Sequence, residues 1–182
     1  MRPLPAIFLS IMGLFSFLAS SSAEPPPMKI IHYRGVADFC VPASWKEEYS
    51  DPDGATFYED KPDSGTFRLK VITLSAPAEV KPDSAVEILN TLKQVQGKAE
   101  RRPDGNALAR SEQVTVDRGH EIKIFYWFTA NALPPAHARI CTFSYTILKR
   151  QENDPQVRRE LEMLDREIRA AKFSPEVGVT PK

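Results

Sequence analysis

The chain is short of the residue patterns that known chemistries require. It holds no G-x-S-x-G elbow, H-E-x-x-H helix, glycine-rich phosphate loop or C-x-x-C pair. Elbow-type hydrolysis, zinc-peptidase chemistry, P-loop phosphate binding and dithiol exchange therefore lack their usual residues. Histidine is scarce: His32, His120 and His137 are the three present, and they are far apart in sequence. His120-Glu121 beside Asp117 could suggest a base with an orienting acid, but a charged turn accounts for the same residues. No excess of either charge exists, since 24 Lys and Arg balance 24 Asp and Glu. That balance argues against nucleic acid, or an anionic membrane surface, as the main partner. The basic pairs Arg101-Arg102 and Arg158-Arg159 stand beside acids and read as solvated faces.

Long apolar runs are confined to the beginning. Arg2, an apolar stretch over residues 6–18 and the small residues Ser21-Ser22-Ala23 follow the plan of an export signal, with cleavage expected after Ala23. The apolar stretch falls short of the ~20 residues that span a bilayer. No later segment is apolar and long enough to do so, and none is expected after cleavage. Cleavage leaves 159 residues, enough for one domain burying about 70% of its unfolded surface. The expected organisation is a signal over 1–23, a proline-rich spacer over 24–29, one domain over 30–173 and a flexible tail over 174–182. The destination is the periplasm or the extracellular space.

What is present is strand and turn chemistry. Residues 36–74 alternate short strands with the turns Asp51-Pro52-Asp53-Gly54 and Lys61-Pro62-Asp63-Ser64-Gly65. Gly54 is expected at a positive φ, closing a bulged hairpin. The five acids Asp51, Asp53, Glu59, Asp60 and Asp63 do not read as a calcium loop, because the turns holding them lie at opposite ends of one strand. Over residues 66–74, Phe67, Leu69 and Val71 share one face and Thr66, Arg68 and Lys70 the other. Further strands are predicted over 30–33, 36–41, 45–49, 55–59, 113–116, 121–129 and 139–148, with a turn at Asp117-Arg118-Gly119 and a longer loop over 130–138.

Two helices complete the pattern. Ser84-Ala85-Val86-Glu87 has the form of a capping box, followed by Ile88, Leu89, Leu92 and Val95, with Gly97 beyond the end. Asp154-Pro155 opens the second, and Val157, Leu161, Leu164, Ile168 and Ala171 mark its apolar face. A mostly antiparallel sheet of about six strands with two amphipathic helices is an α+β layer architecture.

Phe39-Cys40-Val41-Pro42-Ala43-Ser44-Trp45, a strand ending in Pro with Trp three residues on, resembles the opening of PsbP-like domains. The order of meander, helix, long strands and C-terminal helix is similar too. The resemblance implies a layered sandwich of sheet and helices, used for binding or assembly rather than catalysis, and carries no catalytic residues or cofactor. For a binding module, the expected partner is an unidentified protein or small ligand.

The candidate surface is the second face of the sheet. If Ile122, Ile124, Tyr126 and Phe128 join Cys141, Phe143, Tyr145 and Ile147 over the core, the other sets form a polar face bearing two aromatics. Its binding residues would be Arg68, Lys70, Lys123, Phe125 and Trp127, and a non-catalytic binding module is the leading reading. The competing reading is a small secreted hydrolase whose site is not visible in the sequence. An oxidising compartment favours a Cys40–Cys141 bridge. Strand parity sets the two thiols on opposite faces, which favours two free thiols instead.

Overall fold

A computed structural model describes residues 26–50, 54–76 and 78–176. The proposed signal, the first residues of the spacer, Asp51–Asp53 of the first turn and residues 177–182 of the tail lie outside the described residues.

Strands β1 (Met28–Tyr33) and β2 (Ala37–Pro42) form a hairpin turned at Arg34 and Gly35, which have φ of 50° and 65°. β3 (Lys46–Ser50), β4 (Gly54–Tyr58) and β5 (Thr66–Ser75) make the meander expected around the two turns. After α1 (Ala85–Asn90) come the short β6 (Glu100–Arg101) and three long strands. These are β7 (Ala107–Asp117), β8 (His120–Leu133) and β9 (His137–Leu148). A 3₁₀ turn at Lys149–Gln151, α2 (Pro155–Ala170) and β10 (Lys172–Phe173) finish the described chain.

The architecture is α+β, but its strands divide into two sheets. A seven-stranded antiparallel sheet runs β3-β4-β5-β9-β8-β7-β6, and β1-β2-β10 form a separate three-stranded one. The small sheet and α2 cover one face of the large sheet, and α1 covers part of the other. Between the first two layers Phe39 meets Phe57, Phe67 and Phe143 edge-on, at centroid distances of 5.6, 6.1 and 5.5 Å. Trp45 stacks on Tyr145 at 6.4 Å. Fully burying each such ring contributes about 1.5–3 kcal/mol, so this cluster anchors the small sheet.

Several local expectations change on folding. Gly54 takes no positive φ. It lies in β4, paired with Ser50 and Lys70. The positive φ of the second turn falls on Asp63, at 57°. Gly65 is required for a different reason: a Cβ there would collide with the hydroxyl end of the Tyr145 ring. The loop expected over 130–138 shrinks to residues 134–136, because β8 and β9 continue to pair as far as Leu133 and His137.

The helices diverge in the same way. Asp154 caps α2 as expected, its carboxylate accepting from the Gln156 amide at 2.7 Å, with Pro155 at the first position. Ser84 makes no such bond into α1. Its hydroxyl accepts from the Lys81 amide at 3.1 Å, and the helix ends at Asn90, well before Gly97. A helix of six residues therefore rests on Ala107, Ala109, Phe128 and Ala130 through Ala85 and Leu89.

Candidate functional site on the outer sheet face

The face of the large sheet turned away from α2 is only partly covered, and its composition follows from strand pairing. Residues opposite one another in an antiparallel ladder share a face. Arg68 pairs with Ser144, Lys70 with Thr142 and Ile72 with Ile140, and on the next strand Tyr126 pairs with Ser144 and Ile124 with Thr146. All of these project outward. Arg68 donates to the Thr146 hydroxyl at 3.4 Å, and Arg68 and Lys70 are exposed.

This register overturns the expected grouping of five binding residues. Trp127 pairs with Phe143 and Phe125 with Tyr145, so both lie on the packed face. Trp127 is 4% exposed and donates through Nε1 to Asp165 of α2 at 2.9 Å. Phe125 packs against the main core. Lys123 is held by Glu112 at 2.7 Å and Glu152 at 2.5 Å, with its ammonium 4.8 Å from the Phe125 ring centre. The fold therefore leaves Arg68 and Lys70 on the outer face and takes Lys123, Phe125 and Trp127 to the other. The reason is the β8–β9 connection. Residues 134–136 join the strands so that even-numbered residues meet even-numbered ones, whereas the expected grouping matched even with odd. A one-residue change in register exchanges every side chain between faces.

The aromatic groups of the outer face are instead Tyr126 and Phe128, stacked with centroids 5.6 Å apart. They belong to a groove of about 420 Å³ floored by Ile72, Leu74, Ile140 and Thr142 and walled by Leu92, Gln94 and Gln96 of the segment after α1. Ser111 and Gln113 close its far side. Ile72 and Leu74 are 41% and 47% exposed, high values for large apolar side chains on adjacent outward positions. The groove thus offers apolar area, one phenol and three primary amides. The sequence signal for it was the apolar end of residues 66–74, which leaves the charged positions Arg68 and Lys70 for Ile72 and Leu74 on the same face.

Other sequence candidates are placed as follows. Asp117 and His120 are partners at the β7–β8 turn, where Arg118 and Gly119 take positive φ, and both are exposed. His32 has a neighbour that its sequence position did not suggest, Asp38 across the β1–β2 hairpin, with Nδ1 3.0 Å from Oδ1. Among the described residues no three His, Cys, Asp or Glu converge as metal ligands, and no helix is long and apolar enough to cross a membrane. Both cysteines are free. Cys141 is fully buried, and burial pushes its thiol up to about 12. Cys40 lies on the face of β2 opposite the core residues Phe39 and Val41, and burial, with Glu167 nearby, raises its thiol as well. The phenol of Tyr145 donates to Glu160, and burial, then that carboxylate, raises its pKa.

No family model matches the chain, and no curated protein does. Some solved structures are similar in fold. A Bacteroides thetaiotaomicron protein superposes with a TM-score of 0.51 at 15% identity, over 80% of this chain and 47% of its own. This chain therefore spans about half the length of that protein. LpqN, a protein involved in cell envelope biogenesis of Mycobacterium tuberculosis, superposes with a TM-score of 0.54 at 12% identity, over 85% of this chain and 88% of its own. The Saccharomyces cerevisiae Ran-binding protein Mog1p gives a TM-score of 0.46 at 11% identity, over 82% of this chain and 96% of its own. For the first two, at these identities, the likeness is one of fold.

Proposed function

We propose that this chain is an exported, non-catalytic binding module of the PsbP-like kind, and that its outer sheet face takes a small amphiphile. The apolar part would lie over Ile72, Leu74, Tyr126 and Phe128, and a negatively charged head would meet Lys70 and Arg68. The single observation that carries this reading is the outward row of β5. Arg68, Lys70, Ile72 and Leu74 follow one another at every second residue, the first two exposed cations and the last two exposed apolar groups at the groove floor. Successive members of such a row are about 7 Å apart, so the charged and apolar halves fit the two ends of one short molecule. The groove volume falls in the range of small-ligand sites. The signal-like start of the sequence supports export. The fold shared with LpqN is in keeping with a place in the cell envelope.

Calorimetric titration of the purified chain with decanoate, below its micelle concentration, tests the reading. Saturable binding is expected, weakened about tenfold by Lys70→Glu and again by Ile72→Asp, while both variants keep the wild-type melting temperature. Absence of binding, or binding indifferent to both substitutions, overturns it.

A further inference from the structure

The large sheet ends at β7 in a backbone edge that is mostly open. β6 pairs with this strand only at Ala107 and Leu108. Residues 109–117 therefore have β8 on one side and, among the described residues, no strand on the other. Two local features fix the direction of their backbone groups. Asp117 and His120 flank a two-residue turn, so they form a hydrogen-bonded pair. On the β6 side, the Arg102 amide donates to the Asn106 carbonyl at 2.8 Å. Alternation from either end gives the same result, with the odd-numbered residues of β7 bonding β8. The N–H and C=O of Arg110, Glu112, Val114 and Val116 thus point off the edge of the sheet, and all four residues are exposed.

Water can serve such backbone groups, but it does not account for the side chains beside them. Exposed edges are ordinarily blunted by Lys, Pro, a bulge or a short strand. β3, at the other end of the sheet, is five residues long and carries Lys46, Glu47 and Glu48. Residues 109–117 include no Lys, Pro or Gly, and their pairing with β8 runs without a bulge. The charges of Arg110 and Glu112 are met by Asp165 and Lys123, while Val114 and Val116 stand 50% and 64% exposed. We infer that β7 pairs antiparallel with β7 of a second copy of this chain, about a two-fold axis at Thr115, joining the two large sheets into one.

Sterics and charge place the axis at Thr115. An axis at Gln113 would drive the turn Arg118-Gly119 of each copy onto the residues that β6 already occupies in the other. At Val114 it would set Arg110 opposite Arg118 twice, and like charges directly opposite are unfavourable. At Val116 it would set Val114 against Arg118 and shorten the ladder. At Thr115, Val114 of each copy faces Val116 of the other, and Glu112 faces Arg118. Apolar pairs and opposite charges coincide in that one register, so the edge is complementary to itself. The pairing uses the sheet edge and stands without the outer groove.

Sedimentation equilibrium of the purified chain from about 10 μM to 1 mM should show a reversible dimer. Val114→Lys or Val116→Glu alone should weaken it about tenfold without lowering the melting temperature. The double variant, in which the new charges face one another across the axis, should recover dimerisation. Should a single variant fail to fold, amide hydrogen exchange in the unaltered chain decides. The amides of Val114 and Val116 should slow as concentration rises, while that of Arg110, beyond the ladder, stays fast. A monomer throughout the range overturns the proposal and leaves the edge to another protein's strand or to water. A dimer whose Val114 and Val116 amides exchange freely overturns it too, as does a double variant no better than the single ones.

Discussion

The indole nitrogen of Trp127 donates to the Asp165 carboxylate of α2 across 2.9 Å, from a ring that is 4% exposed. The same carboxylate pairs with Arg110 of β7 and, at 3.1 Å, with Arg169 one helical turn on. Trp127 is thus one of the points where the large sheet is tied to α2. Trp127→Ala is expected to destabilise the domain by about 3–5 kcal/mol. Trp127→Phe should cost less but leave Asp165 short of one donor. Thermal melts of the two variants check the order, and a Trp127→Ala protein as stable as wild type would contradict the packing.

Gly65 and Tyr145 occupy space that only one of them can fill. A methyl group on Gly65 would overlap the phenol ring, which is itself fully buried and stacked on Trp45. Gly65→Ala should therefore destabilise by about 1–3 kcal/mol or more. Combining it with Tyr145→Leu should lose less than the sum of the single variants, since the smaller side chain vacates the clash. Denaturant unfolding of the three proteins gives the coupling energy, and strict additivity would count against the contact.

Stability should fall in alkali. The Cys141 thiol ordinarily ionises near 9.0 but is pushed up to about 12 by burial. The folded state holds the neutral form, so this contribution is fully present below pH 9. It is lost as pH rises from 9 toward 12, at up to about 1.4 kcal/mol per pH unit. The Tyr145 phenol, raised in the same direction, adds to the loss above pH 10. Cys141→Ala should flatten the slope of unfolding free energy between pH 9 and 10, where the tyrosine contributes little. An unchanged slope would show that the thiol is not the group responsible.

Two helix starts that look alike in sequence should respond differently to the same change. Asp154→Ala removes the acceptor of the Gln156 amide and should cost about 1 kcal/mol. Ser84→Ala removes a bond to Lys81, outside the helix, and should cost markedly less. Unfolding free energies that are equal for the two would be the wrong result.

Much of this protein was readable one element at a time. Alternation alone placed Phe67, Leu69 and Val71 on the buried side of β5. Turn residues marked Asp117-Arg118-Gly119, and Asp154-Pro155 marked the start of α2. These features depend on neighbours a few residues away, so local steric and hydrogen-bonding preferences are sufficient. The division into two sheets, the exchange of Trp127 and Phe125 into the core and the exposure of Ile72 and Leu74 were decided otherwise. Each depends on which residue of one strand meets which residue of another. Alternation says that two sets of side chains lie on opposite faces of β8, but the pairing Trp127 with Phe143 says which set is covered. The outer groove required Leu92, Gln94 and Gln96 to return over β7 and β8. Those contacts join segments far apart in sequence, and no periodicity within either segment specifies them.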